Sequence, residues 1–185
     1  MAQATFVKKA RKDNPVCKKG ESYWWWEFRF GGKHYSLTKP RPSQLTQSEF
    51  LSQMYGIEER IEDAEFTTVE DFQSFVEEIT GELENLRDET QDKFDNMPEQ
   101  LQDAETGQLL ESRIEACEDM ISEFEDIDTE IDMDEIEEEL KDLDLEDSDE
   151  EEDGVTLREQ QKAEIISQKL TEKVSEIQNI CYNGE

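Results

Sequence analysis

Apolar residues recur along most of the chain in alternating steps of four and three, the spacing of a helix that buries one narrow face. The first series is Phe50, Met54, Ile57, Ile61 and Ala64. The second is Phe72, Val76, Ile79, Leu83 and Leu86, and the third is Leu110, Ile114, Cys117, Ile121 and Phe124. The fourth is Ala163, Ile166, Leu170, Val174, Ile177 and Cys181. Seams of this kind predict helices that pack against one another as hairpins or coiled coils.

Local signals predict the limits of these helices. Thr67–Asp71 reads Thr-Thr-Val-Glu-Asp, which predicts a capped start for the second helix, and Asn96-Met97-Pro98 predicts its end. The third helix is expected to begin after Gly107. A short amphipathic helix is predicted from Ile131, Met133, Ile136, Leu140 and Leu143. Because narrow seams need partner helices, we expect antiparallel packing within the chain, self-association, or both.

The first 43 residues follow a different pattern, typical of β-structure. Gly31-Gly32 lies between the aromatic-rich run Ser22–Phe30 and the run Lys33–Thr38, which predicts a hairpin with a two-residue loop. The expected cross-strand pairs are Phe30 with Lys33, Phe28 with Tyr35, and Trp26 with Leu37. Side chains alternate across a strand, so one face is expected to hold Trp24, Trp26, Phe28, Phe30, Tyr35 and Leu37. The other face is expected to hold Tyr23, Trp25, Glu27, Arg29, His34, Ser36 and Thr38. Thr5–Lys9 is expected to add a third strand.

Together these elements predict an α+β fold. A small antiparallel hairpin or three-stranded sheet is followed by a mostly helical, coiled-coil-like hairpin or bundle. We predict a β-module at 1–43, a helical body at 44–144, a linker at 145–154 and a C-terminal helix at 155–182. The linker is expected to be disordered because it has almost no apolar side chains.

Charge divides the chain at the same place. The 185 residues include 51 acids and 19 bases, a net charge of −32. Residues 1–43 hold ten bases and three acids, a net of +7, and residues 44–185 hold the remaining 48 acids and nine bases, a net of −39. The division coincides with Pro40-Arg41-Pro42-Ser43, which is typical of a turn or linker. The net charge therefore hides two regions of opposite sign.

The run Tyr23-Trp-Trp-Trp-Glu-Phe-Arg-Phe-Gly-Gly-Lys-His-Tyr-Ser36 resembles the three-stranded, AP2-like arm-binding domain of phage-type tyrosine integrases. The resemblance covers about 40 residues. It implies a small sheet that lies in the major groove of DNA, although an acidic body stands where integrases have their catalytic Arg/His/Tyr domain. The whole chain resembles accessory proteins of phages, and its acidic body is similar to DNA-mimic antirestriction proteins.

Exposed aromatic residues interleaved with bases can stack on nucleotides and contact phosphates. The candidate nucleic-acid-binding residues are Lys8, Lys9, Arg11, Lys12, Trp25, Arg29, Lys33 and His34. Two other interpretations stay open. The face that holds Trp24 and Trp26 is expected to be core, and the basic segment is also able to neutralise part of the chain's own acidic body.

The densest acidic stretch, residues 118–153, supplies a second set of candidates. The residues expected to contact a basic partner are Asp126, Asp128, Glu130, Asp132, Asp134, Glu137 and Glu138. Duplex DNA carries about one charge per 1.7 Å. Two or three packed helices with about one acid in every three residues would approach that value. The alternative is that these helix faces only keep the protein soluble.

The motifs of common enzymes and metal sites are absent from the sequence. It has no P-loop, HExxH or GxSxG pattern and only one histidine, so we predict no enzyme and no cofactor. A calcium loop starting at Asp126 would need glycine where Ile131 stands. A loop starting at Asp149 has Gly154 in place but Gln160 instead of the final carboxylate. Zinc is not expected, because His34 stands alone and no two cysteines are close.

Cys17, Cys117 and Cys181 are odd in number and far apart, which predicts reduced thiols, buried as small apolar residues, in a cytoplasmic protein. No run of 18 apolar residues predicts a membrane span, and the basic N-terminus lacks the apolar stretch of a secretory signal.

Three functions follow in order of preference. The first is a phage or bacterial interaction protein whose acidic helices bind the basic, nucleic-acid-binding surface of a partner protein. The second is an accessory protein that binds DNA or RNA through the N-terminal hairpin. The third is a homo-oligomeric coiled-coil scaffold. No membrane partner is expected, because the chain is strongly acidic.

Overall fold

The computed structural model describes residues 1–142, 151–152 and 155–183 and confirms the α+β class, with 59% of residues helical and 7% in strands. A three-stranded antiparallel sheet comes first, with strands β1 (Thr5–Val7), β2 (Tyr23–Glu27) and β3 (Lys33–Ser36) in that spatial order. Helices follow: α1 (Glu49–Glu62), α2 (Val69–Asp95), α3 (Glu99–Gln102), α4 (Glu105–Glu125), α5 (Met133–Asp142) and α6 (Leu157–Ile177). A short strand pair, β4 (Glu151–Glu152) and β5 (Val155–Thr156), precedes α6.

The chain forms two compact units, Met1–Arg60 and Ile61–Glu185. The first unit extends beyond the charge boundary at 43/44 because the predicted linker folds back onto α1. The backbone N–H and the hydroxyl of Ser43 both donate to the Glu59 carboxylate at 2.9 Å, and the Ser52 hydroxyl donates to the Ser43 carbonyl at 2.9 Å. Most of the second predicted linker, residues 145–150 and 153–154, lies outside the described residues.

The predicted third strand is confirmed, whereas the predicted hairpin register is wrong. Trp25 pairs with Tyr35, Trp26 with His34 and Glu27 with Lys33, so the loop is the five residues 28–32 instead of two. It is closed by the Gly31 N–H, which donates to the Phe28 carbonyl at 3.3 Å. Neither glycine of this loop has positive φ. The Gly-Gly pair therefore does not form the tight turn that its composition suggested.

This register shift changes which side chains share a face. It is a shift of three residues, and an odd shift moves every side chain of β3 to the opposite face of the sheet. His34 and Ser36 accordingly lie on the face of Trp24 and Trp26, while Lys33 and Tyr35 lie with Trp25. Phe30 (86% exposed) and Leu37 (62% exposed) lie outside the strands and are not core residues, contrary to expectation.

The seams predicted for the first two helices are confirmed. All five apolar residues of each series are buried, and Phe72, Ile79 and Leu83 have no exposed surface. Helix α2 begins as expected, with the Thr68 hydroxyl accepting the Asp71 N–H at 3.2 Å. It ends at Asp95, ahead of Pro98, which cannot donate a helical hydrogen bond.

Helix α4 packs antiparallel against α2 and buries four of its five predicted seam residues, Ile114, Cys117, Ile121 and Phe124. The Gln73 side chain, near the start of α2, donates to the Thr129 carbonyl just beyond α4 at 3.2 Å, as the antiparallel arrangement requires. The predicted start after Gly107 is wrong. The helix begins at Glu105, and Gly107 is buried inside its first turn.

Helices α5 and α6 form a second pair. The buried residues are Ile136 and Leu140 on α5 and Leu170, Val174 and Ile177 on α6. The end of the predicted α6 seam is wrong: Cys181 lies beyond the helix and is exposed, while Ile180 is buried. No helix in the described part of the chain is long and apolar enough to cross a membrane.

Candidate functional site

The structure separates the candidate nucleic-acid-binding residues into two groups. Strand β1 is antiparallel to β2 and its last residue, Val7, pairs with Tyr23, so the bases that follow β1 lie at the start of β2. These are Lys8, Lys9, Arg11 and Lys12, all exposed. The second group lies toward the other end of β2: Arg29 follows the strand, Lys33 pairs with its last residue, Glu27, and Trp25 and His34 lie in the paired part of β2 and β3. Five residues of strand span about 13 Å, so the eight candidates do not form one surface.

The second group is divided further between the two faces of the sheet. On one face the Lys33 ammonium lies 4.9 Å from the centre of the Trp25 ring and 3.9 Å from a Glu27 carboxylate oxygen. On the opposite face the His34 ring stacks on Trp26, with ring centres 5.4 Å apart. His34 was predicted to lie on the Trp25 face, and the register shift reverses that assignment. The sheet faces are thus partly covered by their own side chains.

Trp26 is the one residue in the three strands of this sheet that is fully buried, with 6% of its surface exposed. The predicted aromatic core therefore reduces to a single indole, whose ring nitrogen has no hydrogen-bond partner within the described chain. Burial of one ring gives the sheet little apolar stabilisation, and the adjoining segment and α1 complete the unit.

Two of the seven candidate acidic residues are already paired within the chain. The Glu137 carboxylate accepts from Arg158 at 2.8 Å and from Lys162 at 2.9 Å, and the Lys173 ammonium contacts the Asp128 carboxylate at 3.3 Å. Hydrogen bonds from Lys162 and Arg158 lower the pKa of Glu137. The backbone N–H of Glu130 and then Lys173 lower the pKa of Asp128. These two carboxylates are already paired with bases of α6, although the Asp128 side chain is still 77% exposed.

A third candidate has a local structural role. The Asp132 carboxylate accepts from the backbone N–H of Asp134 at 2.8 Å, immediately before α5. Short polar side chains at this position satisfy the unpaired N–H groups of a helix start. The remaining candidates are exposed: Asp126, Glu130, Asp134 and Glu138.

Helix α6 carries a row of bases that the sequence analysis missed. Arg158, Lys162, Lys169 and Lys173 all form ion pairs with carboxylates between residues 128 and 139, and Lys169 bridges Glu135 and Glu139 at 3.0 Å each. Both carboxylates raise the pKa of Lys169. The steps between these bases are four, seven and four, which places them along one side of a helix beside its apolar seam. This spacing is visible in the sequence and indicates a basic stripe along α6.

A consequence is that α6 has no net charge, since its four bases equal its four acids. The uncompensated charge of the described helices lies mainly on the α2–α4 hairpin. Helix α2 holds ten acids and α4 holds seven, against Arg87, Lys93 and Arg113, which gives a net of −14. Arg87 bonds the neighbouring Asp88 at 2.8 Å. Among the described residues of the second unit, the hairpin therefore carries more net negative charge than the segment 126–138.

The charge density of this hairpin is comparable with that of DNA but lower. The 27 residues of α2 span about 40 Å at 1.5 Å per residue. Fourteen net charges along that length give about one per 3 Å, against one per 1.7 Å for duplex DNA. The hairpin thus has a little over half of the linear charge density of duplex DNA. Its charges lie on two packed, regular helices.

The described residues do not bring metal-binding side chains together. No group of three or more His, Cys, Asp or Glu side chains among them is arranged to hold an ion. Residues 149, 150, 153 and 154 of the candidate calcium loop at Asp149 lie outside the described residues. A shallow groove along α4 is lined by Glu115, Asp119 and Glu123 on the helix and by Cys181 and Asn183 from the C-terminal segment.

Comparisons with protein-family models, with curated proteins and with solved structures found no match to this chain.

The three cysteines are unpaired, as predicted, but only Cys17 and Cys117 are buried. Burial raises the pKa of the Cys117 thiol to about 11, and Arg87 offsets this only in part. At about pH 8 such a thiol is ionised to about one part in a thousand, and the thiolate is the reactive form. We expect a thiol reagent to modify Cys181 rapidly in the folded protein and all three cysteines in denaturant. Rapid labelling that persists in Cys181→Ser would contradict this assignment.

The ion pairs between α5 and α6 are expected to protect the backbone of α5. Glu137→Gln should increase the hydrogen-exchange rate of the α5 amides, whereas the neighbouring, exposed Glu138→Gln is the matched control and should leave it unchanged. Since the pairing lowers the folded-state pKa of Glu137, its contribution is present above the ordinary value of 4.5 and is lost as the pH falls through the lowered value. The difference between the two variants should therefore disappear in acid. Equal exchange in both variants at neutral pH would show that the pairing does not protect α5.

Proposed function

We propose that the protein is a non-enzymatic interaction protein whose acidic α2–α4 hairpin binds the basic, nucleic-acid-binding surface of a partner protein. The observation that supports this most directly is the net charge of −14 on two helices whose seams are already filled. Phe72, Ile79, Leu83 and Phe124 fix the hairpin from within, so its carboxylates are presented at set intervals. Charge on a rigid support steers a basic partner with little loss of conformational entropy.

The internal pairing of α5 with α6 selects this surface over the segment 126–138. A carboxylate that already contacts a lysine or arginine must lose that contact before it binds a partner. Glu137 and Asp128 are in this position, and the exposed Glu77 and Glu111 of the hairpin are not. Helices α2 and α4 also fill each other's seams. This favours an interaction role over the oligomeric scaffold, because no second copy is needed to bury their apolar residues.

The test compares two full-length variants that lose the same number of charges. In the first, four exposed hairpin residues are neutralised: Glu77→Gln, Glu84→Gln, Glu111→Gln and Glu118→Gln. In the second, the exposed sequence candidates are neutralised: Asp126→Asn, Glu130→Gln, Asp134→Asn and Glu138→Gln. The probes are purified basic DNA-binding proteins, each already bound to labelled duplex DNA.

The wild-type chain is expected to release the labelled DNA from at least one probe at about 50 mM salt and to lose this activity steeply as salt increases. The hairpin variant should need at least about tenfold more protein for the same release, while the second variant stays close to wild type. Equal weakening in both variants would show that only total charge matters. Failure of the wild-type chain to displace DNA from any probe would reject the proposed function.

A further inference from the structure

The segment between β1 and β2 forms a strongly basic loop, here residues 8–20, at one end of the sheet. Its six bases are exposed: Lys8, Lys9, Arg11, Lys12, Lys18 and Lys19. Lys39, which follows β3, lies toward the same end, because β3 runs back to pair Ser36 with Trp24. The first unit is described throughout, and none of its carboxylates forms an ion pair with any of these six side chains. This positive charge is therefore not neutralised within its own unit.

The basic loop is held in one shape by its own hydrogen bonds. Ala10 closes it at the base: its N–H donates to the Glu21 carbonyl at 2.8 Å, and its carbonyl accepts from the Gly20 N–H at 2.9 Å. The Asn14 side chain accepts from the N–H groups of Val16 and Cys17 at 3.0 and 2.9 Å. Gly20 has φ of 101°, a conformation that favours glycine. Ala10 and Cys17 are buried and anchor the loop from beneath.

The two carboxylates at this end accept hydrogen bonds from backbone N–H groups and form no ion pair with the lysines. The Asp13 carboxylate accepts from the Lys19 N–H at 2.8 Å, and the Glu21 carboxylate accepts from the Lys18 N–H at 2.7 Å. These bonds fix the direction of the chain at the two lysines whose side chains extend into solvent. The acids thus help to build the basic surface, and the charged groups of the lysines stay unpaired within the unit.

An aromatic pair with one exposed ring lies beside the basic loop. Phe6, 51% exposed, pairs across the strands with Trp24, and their ring centres are 5.0 Å apart. Lys8 follows Phe6 by two residues, about 7 Å along an extended chain. An exposed ring next to a row of bases is the combination that binds single-stranded nucleic acid, because unpaired bases stack on the ring while phosphates contact the lysines.

We propose that the basic loop and the Phe6–Trp24 pair form a binding site for single-stranded nucleic acid, with the loop bases on the phosphates and Phe6 under a base. The Phe6–Trp24 pair lies at the end of the sheet next to the loop, away from the part of each face where the Lys33 ammonium lies over Trp25 and His34 stacks on Trp26. Stacking on Phe6 requires an unpaired base, and so the single strand is favoured over a duplex. The proposal concerns a different unit from the acidic hairpin and does not depend on the function proposed for it.

The experiment measures the fluorescence anisotropy of labelled oligonucleotides with the full-length chain at several salt concentrations. The probes are single-stranded DNA, single-stranded RNA and the matching DNA duplex. Six phosphate contacts predict a slope of about −4 for log K against log salt, since each contributes about −0.7 for a single strand. The variant Lys8→Gln, Lys9→Gln, Arg11→Gln, Lys12→Gln should reduce the slope to about −1.5. Phe6→Ala should weaken binding about tenfold without changing the slope.

The matched control is Arg29→Gln with Lys33→Gln, which removes bases from the opposite end of the sheet and should leave binding within about twofold of wild type. Equal losses in this control would overturn the assignment to the loop, and tighter binding of the duplex would overturn the assignment to a single strand. If the fourfold variant does not fold, the wild-type slope still decides: a value near zero, or no binding at about 50 mM salt, overturns the proposal. Comparison of the two single-stranded probes identifies DNA or RNA as the preferred ligand.

Discussion

Replacing Gly107 with alanine is expected to destabilise the helical second unit by about 3 kcal/mol. Gly107 is buried in the first turn of α4, where the last residue of α3, Gln102, approaches it closely. A Cβ added there would lie 2.5 Å from the carbonyl carbon and the Cα of Gln102. Both are backbone atoms, so the overlap cannot be relieved by a rotamer change, and α3 must move away from α4. Chemical denaturation followed by far-ultraviolet circular dichroism measures the change.

Gly81→Ala is the matched control for this substitution. Gly81 is in the interior of α2, and a Cβ at that position would meet nothing within 4 Å. Alanine is favoured over glycine inside a helix by about 1 kcal/mol, so this variant should be more stable than wild type. The same chemical change thus has opposite signs at two positions. If Gly107→Ala proved neutral or stabilising, the close approach of α3 to α4 would be wrong.

Replacing Phe124 with alanine is expected to cost about 3–5 kcal/mol. Phe124 is 1% exposed, near the end of α4 in the seam that faces α2. Truncation removes the transfer free energy of the ring and leaves a cavity that rigid helices on either side cannot fill completely. Because a net charge of −14 opposes packing of this hairpin, the variant should be partly unfolded in low salt and regain helix when salt is added.

Phe30→Ala provides the comparison, since the same side chain is lost from a site that is 86% exposed. Its removal should change the free energy of unfolding by less than about 0.5 kcal/mol. The result also tests the hairpin register, because the two-residue loop would have placed Phe30 on the aromatic face. A cost above about 2 kcal/mol would restore Phe30 to the core and contradict the five-residue loop.

The helices were predictable because their signal is local and repeated. Each series repeats one spacing over five or six apolar residues, and errors at single positions do not alter the period. The second series illustrates this, since every residue from Phe72 to Leu86 that was assigned to the seam is buried. The first and last residues of the helices were predicted less accurately. Gly107 was expected to precede the third helix, whereas it lies inside the helix and its small size permits a contact with Gln102 that no local pattern reveals.

The sheet was predicted in outline and misaligned in detail. The aromatic runs identified the strands, but the register depended on how many residues between them belong to the loop. The Gly31-Gly32 pair favoured a loop of two residues. The loop has five residues instead, and the Gly31 N–H closes it by donating to the Phe28 carbonyl. Because the register differs from the predicted one by an odd number of residues, His34 lies on the Trp26 face and not on the Trp25 face. Independently of the register, the strand directions divide the candidate nucleic-acid-binding residues between the two ends of the sheet.

The sequence by itself determined the α+β class, the opposite charges of the two regions and the seams of the helices, because composition and periodicity are properties of neighbouring residues. Only the tertiary structure decided which charges remain uncompensated. Arg158 and Glu137 are 21 residues apart and contact each other because α6 packs against α5. Counting acids along the chain cannot reveal such pairs, since a carboxylate in the densest acidic stretch is neutralised by a base in a later helix. The candidate acidic residues were therefore chosen at 126–138, whereas among the described helices the larger net charge lies on α2 and α4.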